Sequence, residues 1–154
     1  MAPRYGRAYG SQRANLSAPY HRGHQITMIG AISIEKIEAA LYGQWATNGE
    51  VFTHFLEQSL RPMLSSNHVV VMDNVSFHKV QRVHELIQTA GARLVYLPPY
   101  HPELNPIEEM WSKIKNKLRQ LSARTLSTFQ IAIKKAFQDV TQSDLIGWFK
   151  HAGY

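Results

Sequence analysis

The sequence predicts an α/β fold. Three observations carry that expectation: four short apolar runs of strand length, segments of helical periodicity between and after them, and turn-forming or proline-bearing breaks at their ends. The first run, Gln25 to Ile34, is almost continuously apolar through Ile26, Met28, Ile29, Ala31, Ile32 and Ile34, as a buried strand is. Ile37 to Tyr42 forms the second, and the short Glu35-Lys36 turn between them predicts a hairpin.

Thr47-Asn48-Gly49-Glu50 has the form of a capping box with Thr47 as N-cap. Behind it Val51, Phe52, Phe55, Leu56, Leu60, Met63 and Leu64 keep helical spacing to about Leu64. His68 to Met72 is the third strand, between Ser65-Ser66-Asn67 and Asp73-Asn74. Val80, Val83, Leu86 and Ile87 then mark an amphipathic helix that Gly91 can close in a left-handed conformation. Arg93 to Leu97 is the fourth strand, stopped by Pro98-Pro99, which cannot donate to a ladder. A helix from Asn105 to about Leu118 follows, then a looser helical pattern over Leu126 to Val140. A short last helix starts at Ser143 and ends near His151, with Gly153 as its stop.

Bulk composition narrows the class. At 154 residues, 44% hydrophobic and 18% charged, the chain suits one globular domain, 1–154, with a real core. Its net charge of +6 favours a polyanionic partner, although an ordinary basic protein carries the same charge. With no cysteine it has neither a disulfide frame nor a thiolate metal site. No run approaches 18 apolar residues and no signal-peptide core opens the chain, so no membrane role and a cytoplasmic location are expected. Residues 1–23 hold Arg4, Arg7, Arg13 and Arg22 among tyrosines and glycines, without an acid. Such a lead-in suits draping over phosphates, and it equally suits a loosely ordered terminus.

Two acids stand where chemistry is expected. Asp73 falls just past a buried strand, at the carboxyl edge of the sheet where α/β proteins bind ligands. Asp-Asn is also a turn former and a helix cap, so a structural role fits it as well. Glu108 is the third helical residue if Asn105 is the N-cap and Pro106 the first position, again a capping box. The two roles are compatible, because a capping geometry also fixes a carboxylate at a helix start. On that helix Ile107, Met110, Trp111, Ile114 and Leu118 make the apolar face, while Glu108, Ser112, Lys115 and Arg119 share another stripe. An acid at its head and bases further down suit metal at one end and phosphates along the other; a solvated charged face has the same periodicity.

Taken together, "VVVMDNVSFHK" and "YLPPYHPELNPIEEMWSKIKNKLR" resemble the DDE-type transposases of bacterial insertion sequences related to the mariner superfamily. The resemblance implies an RNase H-like mixed sheet with flanking helices, akin to retroviral integrases. It implies metal-dependent DNA strand cleavage and strand transfer, with Asp73 and Glu108 as the second and third acids of a catalytic triad. Mg²⁺ or Mn²⁺ would be the cofactor, as two ions in the complete enzyme. DNA, both transposon ends and target, would be the partner, along with a second copy or a full-length transposase, at the bacterial nucleoid. His78 and Lys79 match the family's "DNxxxHK" pattern, which places them to meet phosphate or orient a metal-bound water; a surface pair opening a helix fits them too.

The pattern breaks at its start. The family's first aspartate sits on a strand before the hairpin of residues 25–42, yet the first acid here is Glu35. The family's helix-turn-helix DNA-binding region is not found either. The resemblance therefore implies an N-terminally truncated catalytic domain lacking its first, central strand, marginally stable and inactive alone. Two alternatives stay open. One is a non-catalytic DNA-binding or transposase-regulating remnant; the other is the second half of a split or frameshifted transposase.

Overall fold

Ser33 accepts hydrogen bonds on its hydroxyl from the Glu35 and Lys36 amides, at 3.1 and 3.2 Å, and donates its own amide to the Lys36 carbonyl. This turn closes a hairpin of β1 (Thr27–Ile32) and β2 (Ile37–Gly43), antiparallel with a register shift between Ala31 and Ile32. The chain is seen here in a computed structural model, which describes residues 26–121 and 125–154. The expected contributions of Arg4, Arg7 and Arg13 lie outside the described residues.

Asn48, not Thr47, caps the next helix. Its side chain accepts the Val51 amide at 2.9 Å and starts α1 (Gly49–Phe55) one residue later than the capping-box reading places it. The asparagine sits in extended backbone and accepts the amide three residues on, so the cap falls on Asn48 and the threonine is not needed. After α1 the backbone widens into a π turn (Leu56–Leu60) and tightens into a 3₁₀ turn (Arg61–Met63). Pro62 accounts for the irregularity: it has no N–H to continue an α-helical ladder, and its ring opposes the preceding turn.

The third strand, β3 (Val69–Met72), pairs in parallel with β4 (Arg93–Tyr96). Bonds from Arg93 N–H to the His68 carbonyl (3.0 Å) and from Leu97 N–H to the Met72 carbonyl (2.8 Å) extend that pairing at both ends. A 3₁₀ turn (Ser76–Lys79) and α2 (Gln81–Thr89) make the crossover between them. Gly91, at φ +80°, ends it in the left-handed conformation expected of that residue. Then come α3 (Pro106–Gln120), α4 (Leu126–Gln138) and α5 (Gln142–His151), and Gly153 stands at φ +89° after the last.

The chain divides into two compact units. Gln25–Met110 and Thr141–Tyr154 form one of them. Its core gathers Phe52, Phe55, Leu56 and Leu60 with Ile29, Met72, Val83, Leu86 and Ile87, so that both strand pairs and both helices bury apolar faces together. Each fully buried side chain of this kind stabilises the fold by ~1.5–3 kcal/mol relative to exposure. The other unit contains Trp111–Val140, where the rings of Trp111 and Phe137 meet edge to face at 6.4 Å and Lys117 pairs with Asp139 at 2.5 Å.

The two strand pairs remain separate sheets, β1-β2 and β3-β4. Among the described residues, β1 and β3 each keep one edge without a ladder partner. Such edges are liabilities for association. No described helix is long and apolar enough to cross a membrane.

Candidate active site

Asp73 leaves β3 at the carboxyl end of the parallel pair. Its side chain is 43% exposed, yet its Oδ1 atom is shielded from solvent. Oδ1 lies 2.7 Å from His78 Nδ1. That ring nitrogen also approaches the Asp73 carbonyl oxygen, at 3.3 Å. Asn74, next in sequence, carries a second shielded oxygen, Oδ1, and this one has no hydrogen-bond partner. Buried oxygen atoms without donors are costly unless a cation or water meets them.

His78 is held from several sides. Its ring lies 4.2 Å from that of Phe52 and 4.6 Å from Phe77, and its carbonyl accepts a 2.7 Å bond from the Tyr96 hydroxyl. Tyr96 in turn contacts His84 Nε2 at 3.0 Å. Burial lowers the His78 pKa; the charge of Asp73 and its hydrogen bonds pull the other way and do not overcome it. The imidazole is therefore neutral near pH 7, able to orient a carboxylate without neutralising it. Lys79 ends the same turn, exposed to solvent.

Glu108 lies exposed in the first turn of α3. The expected capping box is not completed. The Asn105 N–H donates to the Pro102 carbonyl at 3.0 Å, so the amide that Glu108 would have taken is already used. A 3₁₀ turn (Pro102–Leu104) delivers the chain to the helix and competes for that bond. The consequence is an exposed carboxylate in the first turn of α3 that is free of a capping duty.

The structure thus brings His78 to Asp73 and puts both acids in one unit. Lys115 and Arg119 follow further along α3, where Arg119 bonds Asn116 at 2.5 Å. No three His, Cys, Asp or Glu side chains gather to hold a metal ion among the described residues. Sequence reasoning missed Asn74 as an inward-facing oxygen; the only signal was its place beside an acid at a strand end.

The sequence profile of the DDE superfamily endonucleases matches residues 1–130. The chain belongs to that family. No curated protein sequence matches the DDE chain, but solved structures do. The Mos1 strand transfer complex superposes with a TM-score of 0.77 at 11% identity, over 97% of this chain and 46% of that one. A pre-cleavage Mos1 transpososome gives 0.77 at 11%, over 97% and 47%. The Mos1 transposase catalytic domain with raltegravir and magnesium gives 0.68 at 12%, over 80% and 67%. At such identities the likeness is one of fold: the RNase H-like mixture of small sheets and flanking helices expected above. The DDE chain spans about half the length of the transposases in the first two assemblies.

Proposed function

We propose that this DDE chain is the later part of a transposase catalytic domain, with Asp73 and Glu108 as two of its metal-holding carboxylates. The observation that carries the reading is the shielded Oδ1 of Asp73, held at 2.7 Å by the His78 ring nitrogen at the end of a parallel strand. A carboxylate oriented at a strand end suits a hard divalent cation, and Mg²⁺ or Mn²⁺ takes such ligands. When bound, such ions activate the attacking oxygen and stabilise the leaving one. Asp73 and Glu108 would hold them; His78 keeps the Asp73 side chain oriented. Lys79, Lys115 and Arg119, with Arg4, Arg7 and Arg13 of the basic lead-in 1–23, would meet DNA phosphates.

In this reading 1–154 is a single, partial RNase H-like catalytic domain acting on transposon ends and target DNA. Two carboxylates do not make the triad, so in this reading Asp73 and Glu108 by themselves do not cut DNA. The open edges of β1 and β3 support the split-enzyme form, in which a strand bearing the first aspartate comes from another chain.

The test is supercoiled plasmid incubated with the chain and Mg²⁺ or Mn²⁺, beside Asp73→Ala and Glu108→Ala. Salt-sensitive DNA binding without nicking is the expected result. Nicking that both substitutions abolish would establish a complete site and end the inactive-fragment reading. Absence of DNA binding would remove the transposase reading altogether.

A further inference from the structure

Tyr100 is the only non-glycine residue with a positive φ, +65°, among those described. A bulky side chain there is a backbone outlier, and glycine or asparagine would relieve it. Packing does not offset the strain, because the side chain is 99% exposed. Nor is the segment loose on both sides. Leu97 N–H binds the Met72 carbonyl at 2.8 Å before it, and after it the Tyr154 hydroxyl donates to the Leu104 carbonyl at 3.1 Å. His101 pairs with Glu103 at 2.8 Å, and Pro98, Pro99 and Pro102 restrict the backbone around the tyrosine. The fold therefore presents a flat aromatic ring to solvent from a constrained backbone.

That point lies on the link between the two acids. Leu97 is bonded to Met72, the residue before Asp73, and Tyr100 follows Leu97 by three residues, at most ~11 Å of chain. The loop then runs into the helix that carries Glu108. We infer that the Tyr100 ring is a stacking platform for an unpaired base of the DNA strand whose phosphate would be met by cations held at Asp73 and Glu108. The inference rests on the function proposed above. Every base has a π face, so such a contact needs no sequence match. It would keep a base near the scissile phosphate out of the duplex, and strained residues at functional sites serve this kind of fixed presentation.

The experiment uses the full chain and a DNA duplex with a short single-stranded overhang carrying 2-aminopurine. Total binding is followed by anisotropy and stacking by 2-aminopurine emission. Wild type should quench the emission on binding. Tyr100→Leu should bind about tenfold more weakly, the size of one base–aromatic stack, and lose the quench. Tyr100→Trp should restore both. Tyr100→Gly should lose the quench without lowering the thermal midpoint, which separates stacking from a structural role. Binding and quenching that do not change in Tyr100→Leu would overturn the inference and leave the proposed function standing. Absence of any DNA binding would overturn both.

Discussion

Asp73 Oδ1 and His78 Nδ1 stand 2.7 Å apart, and the imidazole between Phe52 and that carboxylate is kept neutral by burial. The ring thus has two separable tasks, packing on Phe52 and orienting Asp73. His78→Phe keeps the aromatic face and should change stability by no more than about 1.5 kcal/mol. His78→Ala removes the ring contact and should cost roughly 2–3 kcal/mol. Urea melts of both decide it; equal losses would mean that the nitrogen, not the ring face, stabilises this turn.

Two glycines should respond in opposite directions to the same substitution. Gly91→Ala forces a side chain into φ +80° at the end of α2, with Ser66 atoms in ordinary contact at 3.5–3.6 Å, so strain alone should destabilise by about 1 kcal/mol. Gly147 lies inside α5, and an added Cβ there meets nothing within 4 Å. Gly147→Ala should therefore stabilise by up to about 1 kcal/mol, since alanine is the better helix former. Thermal midpoints of the two variants should fall on either side of wild type.

Asp139 gives a pH dependence with a definite sign. The Lys117 ammonium bonded to it, then the charges of Lys117, Lys135 and Lys113, lower its pKa below the ordinary 3.8. A depressed carboxylate contributes stability above its unfolded value and loses it as pH falls through the folded one. In low salt, the midpoint difference between wild type and Asp139→Asn should hold constant from pH 7 to about 5 and close below about 4. Added salt should shrink it, because both side chains remain partly open to solvent. A difference that widens with acid would contradict the assignment.

Phe55 and Ile131 test the core. Phe55 is 2% exposed among Phe52, Leu56 and their neighbours, and Phe55→Ala should cost about 3–5 kcal/mol. Ile131, 71% exposed on α4, should change stability by less than about 0.5 kcal/mol on truncation to alanine. Denaturant midpoints with unchanged slopes would check both values.

Much of the architecture is written locally. Alternating strand and helix lengths, the Ser33–Lys36 turn, Gly91, Gly153 and the proline stop after β4 depend on contacts within a few residues, so reading the chain recovers them. Both acids were visible for the same reason: each sits at the end of an element that announces itself. What the three-dimensional fold decided were competitions between neighbours for one partner. Asn48 rather than Thr47 became the cap of α1, and Pro102 took the Asn105 amide that Glu108 was expected to accept. The shielded oxygens of Asp73 and Asn74, the burial that keeps His78 neutral and the exposed ring of Tyr100 depend on what surrounds each atom. Sequence periodicity assigns a residue to a face, but desolvation is set by every element that folds over it.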